Sequence, residues 1–143
     1  MSLFVVDANI AGKWCLPSAG EPYADEAADL LRRFSRREVQ FLVPDIFWPE
    51  LANLLWNACR RARCSQSDAV FALRTITDRK LHTVSSRGLL SDAFLIATAH
   101  DRTVHDSLYV ALAVHEKAVL VTADERLANA LAAHFPVKWL GAL

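Results

Sequence analysis

Short apolar runs, each broken by a polar or turn-forming residue and followed by helical spacing, recur along the whole chain, and this alternation most restricts the fold. Leu3–Val6 is four β-favouring apolar residues ended by Asp7. Gln40–Val43 is ended by Pro44, and Val119–Thr122 leads into Ala123 and Asp124. Runs this short and this apolar fit strands buried on both faces, as in a parallel sheet covered by helices. Between them, Ala8–Cys15 reads as a short helix stopped by Pro17 and Gly20, and Glu21–Phe34 shows helical spacing. A long helix is expected over Ile46–Arg61 with Asp45 as its cap, and Ser65 is expected to cap another over Gln66–Asp78. A short strand near His82–Val84, helices from about Ser91 to His100, His105–Glu116 and Asp124–His134, and an edge strand over Pro136–Leu140 complete the pattern. The reading is βα alternation, an α/β fold with one parallel sheet between two helical layers.

The chain has 143 residues, 53% of them hydrophobic and 22% charged, which fits a single domain over 1–143 with its own core and not a disordered chain. No apolar run is long enough to span a bilayer, and the first residues lack the basic start and cleavage site of a signal peptide, so a cytoplasmic location with no membrane partner is expected. The three cysteines, Cys15, Cys59 and Cys64, follow no disulfide framework or zinc spacing and read as reduced thiols. Sixteen Lys and Arg balance sixteen Asp and Glu, which argues against polyanion binding through global charge. Local basic patches remain open: Arg32, Arg33, Arg36 and Arg37 form one cluster, and Arg60, Arg61 and Arg63 another. Each is either a phosphate-contact surface or a solvated helix end.

Four acids fall where such a topology can gather them. Asp7 and Asp124 follow strand-like runs, while Glu50 and Asp106 lie near helix starts. Ligands of open parallel sheets sit beyond the carboxyl ends of the strands, where the strand order reverses. Carboxylates crowded there repel one another, and a divalent cation relieves the conflict. The motifs hold only oxygen ligands apart from His105, which favours Mg²⁺ or Mn²⁺ over zinc. Such a centre activates water against a phosphodiester, with one carboxylate taking its proton. Each acid also has an ordinary use: Asp7 and Asp124 as helix caps, Asp106 at its helix's positive end, Glu50 as a solvated charge. Thr122 and Ser107 flank the acids and offer hydroxyls to orient a carboxylate or a water; for Ser107 a local backbone bond is the simpler use. Asn9 follows Asp7 by two residues, and Asn53 shares a polar stripe with Glu50 and Asn57 and is placed to orient Glu50. His105 reads as a helix-start residue, and the four tryptophans as core or interface aromatics.

These segments resemble the PIN domain, above all its VapC-type toxin ribonucleases. The resemblance is carried by Val5-Val6-Asp7-Ala8-Asn9, Pro44 with Glu50-x-x-Asn53, His105-Asp106-x-x-Tyr109-x-x-Leu112-Ala113, and Val121-Thr122-Ala123-Asp124-x-Arg126-Leu127. It runs from Leu3 to about Leu140, with the stretch from about Arg60 to Leu90 carrying no motif. It implies a three-layer α/β/α sandwich whose five-stranded parallel sheet has the order 3-2-1-4-5. It implies a Mg²⁺- or Mn²⁺-dependent endoribonuclease with Asp7, Glu50, Asp106 and Asp124 as catalytic and metal-binding residues, supported by Thr122 and Asn9. A homodimer is implied too, with a small antitoxin partner that presents a basic side chain to the acids. The alternatives are a non-catalytic RNA-binding or scaffold module on the same fold and an aspartate-based phosphotransfer enzyme of the haloacid-dehalogenase kind. The latter needs a second aspartate where this chain has Asn9.

Overall fold

In the computed structural model, which describes residues 1–143, the alternation closes into one five-stranded sheet. Its strands are β1 (Ser2–Val6), β2 (Val39–Pro44), β3 (His82–Val84), β4 (Val119–Thr122) and β5 (Val137–Trp139). All neighbours pair in parallel, in the order β3-β2-β1-β4-β5. The chain builds outward from β1 to β3 on one side, then crosses back to lay β4 against β1's other edge. Order therefore reverses between β1 and β4.

Side-chain alternation along β1 divides the core. Phe4 and Val6 point to one face, where they join Phe41 and Val43 of β2 and Val121 of β4. Val5 points to the other, beside Leu42 and Leu120, its partners in register. Helices α1 (Ala8–Cys15), α2 (Ala24–Ser35), α3 (Phe47–Arg60) and α4 (Gln66–Asp78) cover the first face through Ile10, Leu30, Phe47, Leu51, Leu55 and Ile76. Helices α5 (Leu90–His100), α6 (Val104–His115) and α7 (Glu125–Leu131) cover the second through Ala93, Leu108, Leu112, Leu127 and Leu131. This is a three-layer α/β/α sandwich. Phe47, Leu51 and Leu112 are fully buried, each worth about 1.5–3 kcal/mol in apolar surface removed from water. No helix is long and apolar enough to cross a membrane.

Several element ends depart from expectation for local reasons. Asp45 does not cap α3: the cap position is Ile46, with no side-chain bond, and Asp45 serves through its backbone, which donates to the Val84 carbonyl and accepts from the Trp48 N–H. Helix α2 starts three residues later than the spacing suggests, because Tyr23 takes a left-handed conformation (φ 55°) just before it. Helix α7 stops at Leu131, short of His134. Helix α6 is capped by Thr103, whose hydroxyl accepts from the Asp106 N–H at 3.1 Å. Ser65 caps α4 as expected. The cysteines are free thiols, with Cys59 Sγ and Cys64 Sγ 3.4 Å apart.

Candidate functional site

The junctions after β1 and β4 lie side by side at the carboxyl end of the sheet. The Asp7 N–H donates to the Val121 carbonyl at 3.1 Å, carrying the β1–β4 ladder one residue past the strand. Asp7 then caps α1, accepting from the Asn9 N–H at 3.3 Å. Asp124 caps α7, accepting from the Leu127 N–H at 3.1 Å. Both acids thus do the ordinary work of a cap, but in different surroundings: Asp7 is buried, 8% exposed, whereas Asp124 stands in solvent.

Thr122 joins the two junctions. Its hydroxyl is fully buried; it donates to Asp7 Oδ2 at 2.9 Å and accepts from Asn9 Nδ2 at 3.3 Å and from the Asp124 N–H at 3.1 Å. Asn9 Oδ1 in turn accepts from the Ala123 N–H at 3.0 Å. One hydroxyl and one amide therefore hold both acid-bearing turns together. With its amide committed to this bridge, Asn9 is not positioned as the second acid that a phosphotransfer enzyme of the haloacid-dehalogenase kind needs.

Glu50 enters from the first turn of α3, and Asp106 from that of α6. The Tyr109 hydroxyl donates to Glu50 Oε1 at 2.6 Å, which ties α6 to α3 across the sheet edge. Asn53, expected to orient Glu50, makes no hydrogen bond to it; Tyr109 does so instead. Tyr109 lies three residues after Asp106, a spacing that puts both on one helix face and is the sequence signal for its role.

Electrostatics link the acids in pairs: Asp7 feels Glu50 and Asp106, and Asp106 feels Asp124. Burial pushes the Asp7 carboxyl up from 3.8 to about 7; the Thr122 and Asn9 bonds oppose the rise, while the charges of Glu50 and Asp106 add to it. Asp106 is also raised, first by burial and then by Asp124, against the pull of Thr103, Arg102 and His105. Burial, then the charge of Asp7 and the bond to Glu50, drives the Tyr109 phenol far above its usual range, so it stays a neutral donor. As the side chains stand, no three of the chain's His, Cys, Asp and Glu are grouped so that they could hold a metal ion. Ser107, expected to bond the local backbone, is fully buried with no partner for its hydroxyl.

A sequence-family model, the PIN domain, matches residues 4–131. The chain belongs to the PIN-domain family. Ribonuclease VapC3 of Pyrobaculum aerophilum is 32% identical over 127 residues, covering 87% of this chain and 92% of the relative. Among solved structures, PAE2754 from Pyrobaculum aerophilum is similar with a TM-score of 0.73 at 18% identity, over 99% of this chain and 85% of that one. VapBC2 from Rickettsia felis, bound to a DNA fragment from their promoter, is similar with a TM-score of 0.66 at 12% identity, over 96% of this chain and 98% of that one. At those identities the structural likeness speaks to the fold.

Two cavities border α3 of this PIN domain. A groove of about 440 Å³ is lined by Asp7, Asn9, Glu50, Asn53, Asn57 and Arg61, among others. A larger space of about 980 Å³ lies between α3 and α4, walled mostly by apolar residues such as Leu55, Trp56, Val70 and Leu73, and holds none of the four acids. Size favours the second, but chemistry favours the first, which Asp7 and Glu50 line; Asp106 and Asp124 do not border it. The arginine clusters also divide. Arg32 reaches Asp29 at 3.4 Å, and Arg33 lies over the Phe4 ring. Arg63 pairs with Glu21 at 2.6 Å, Arg60 stacks on Trp56, and Arg61 alone of its cluster lines the acidic groove.

Proposed function

We propose that this PIN domain is a Mg²⁺- or Mn²⁺-dependent endoribonuclease, the toxin of a VapBC-type pair, with Asp7, Glu50, Asp106 and Asp124 as its metal-binding and catalytic acids. The observation that carries the reading is the buried Asp7 carboxylate, held by Thr122 on the groove it shares with Glu50; burial pushes its carboxyl up, and the Glu50 and Asp106 charges add to the rise. A dication would relieve that conflict. The relative's ribonuclease activity supplies the reaction class. The donor set suits the ion: hard carboxylate oxygens with no thiol among them. Because no three acids are grouped to hold the ion as they stand, it would be bound through few carboxylates, with water supplying the remaining ligands, as magnesium habitually allows.

The chemistry the ion supplies is Lewis-acid activation of water and neutralisation of phosphodiester charge. The chain's own groups do the rest. Thr122 holds Asp7 Oδ2 in place, and Asn9 locks the turn that presents Asp124. Tyr109 fixes Glu50, leaving its second oxygen open to accept a proton or orient water. Asp106, in the first turn of α6, lies within the field of Asp7 and Asp124, with Arg102 and His105 beside it. Asn53 lines the groove, and the unpartnered Ser107 hydroxyl lies directly behind Asp106 in sequence. Exposed Leu90, Phe94 and Leu95 on α5 give an apolar face suited to a homodimer. The antitoxin would be a small separate chain bringing a basic side chain to the acids.

The test is RNA cleavage by the purified chain with Mg²⁺ or Mn²⁺. Chelation is expected to abolish it, and Asp7→Asn to remove most of it. Undiminished cleavage by that variant would sink the proposal.

A further inference from the structure

We infer that the groove along α3, from Asp7 and Glu50 past Asn53 and Asn57 to Arg61, is the track for the RNA strand flanking the cleaved bond, with Arg61 holding a backbone phosphate there. This rests on the ribonuclease reading and adds to it the residues that hold the substrate.

Glu50, Asn53, Asn57 and Arg61 recur at helical spacing, so they share one face of α3 and its end. From the first to the last is eleven residues, a rise of about 16 Å at ~1.5 Å each. All four border the same groove as Asp7. The acidic end repels phosphate, so a polyanion needs a cation beyond it. Overall charge offers none in excess, with sixteen basic and sixteen acidic residues. The nearby cations are mostly engaged: Lys13 by Glu21 and the Pro22 carbonyl, Arg63 by Glu21, Arg60 by the Trp56 ring. Arg61 has no such partner and lies on the groove. Between the two ends, the Asn53 and Asn57 side chains make no hydrogen bond within the chain, although asparagine is a weak helix former. Their amides are free to meet sugar and base edges.

The test uses a fluorescein-labelled, mixed-sequence single-stranded RNA. Cleavage is followed with Mg²⁺, and binding by anisotropy with chelator between about 50 and 200 mM salt. Arg61→Ala is expected to raise KM about 3- to 10-fold with little change in kcat, and to reduce the salt slope of binding by about one. Arg61→Lys should restore most of both, and Arg60→Ala, the same charge change one residue away, should alter neither. Melting curves check that Arg61→Ala remains folded, with Arg61→Gln as a second variant. Unchanged KM and salt slope in Arg61→Ala, with the unaltered chain cutting RNA, would overturn the track and leave the ribonuclease reading standing. An unaltered chain that neither binds nor cuts RNA with any divalent ion would overturn both.

Discussion

The junctions after β1 and β4 use the same device, a strand ended by an aspartate that caps the next helix, yet they differ in what the aspartate experiences. Asp124 caps in solvent, where such a bond is worth about 1 kcal/mol and carries little penalty. Asp7 caps from a buried position at the floor of the groove, accepting from the N–H two residues on, with its carboxyl raised to about 7. A cap alone does not require that burial. The difference teaches that Asp7 is held against its own preference for water by the Thr122 hub and the packed strand ends, and that its surroundings suit a counter-charge.

Replacing each aspartate by asparagine separates cap from charge, because asparagine caps about as well. In the metal-free chain at pH 8, Asp7→Asn is expected to raise stability by about 2 kcal/mol. The shift from 3.8 to about 7 corresponds to roughly 4 kcal/mol at ~1.4 per unit, and disruption of the Thr122 bond removes part of it. Asp124→Asn is expected to change little. Chemical denaturation checks both, and equal effects would erase the contrast. The pH profile sharpens it. Folded Asp7 binds a proton that the unfolded chain has released, so metal-free stability should fall as pH rises from about 4 to about 7 and level off above. Asp7→Asn should lack that slope.

Thr122→Val removes the shared hydroxyl while keeping its shape. It leaves Asp7 Oδ2, Asn9 Nδ2 and the Asp124 N–H each short of a partner, an expected loss of about 2–3 kcal/mol. Thr122→Ser should recover most of it. If Val is tolerated, the two junctions are not coupled through this residue. Tyr109→Phe, further from the pair, should cost about 1 kcal/mol by freeing Glu50 and should lower kcat for RNA. Ser107→Ala should be the mildest, within about 0.5 kcal/mol, since its hydroxyl has no partner to lose. A loss of cleavage without a loss of stability there would show that the hydroxyl serves the substrate.

Local signals carried much of the fold into plain view. The β4 and β3 runs and the Ser65-capped α4 lie where their residues indicate, because short apolar runs and caps act within a few positions. The positions of Asp7, Glu50, Asp106 and Asp124, each at a strand end or helix start, were legible for the same reason. What escaped were the partners of bonds between distant parts of the chain. The spacing from Asp106 places Tyr109 on the right helix face, and the Thr122 hydroxyl suits orienting a carboxylate or a water, but that they reach Glu50 across 59 positions and Asp7 across 115 is decided by the fold. Asp45 misled in the opposite sense: its residue type suits a cap, but the β2–β3 pairing engages its backbone instead.

The most direct test of the central claim is the melting temperature of the unaltered chain and of Asp7→Asn at pH 8 as Mn²⁺ is titrated in. A cation held by the acidic crevice stabilises the folded chain by mass action. The unaltered chain should melt at progressively higher temperature, while Asp7→Asn, more stable at the outset, should barely respond. An equal rise in both, or none in the unaltered chain, would contradict a cation site built around Asp7.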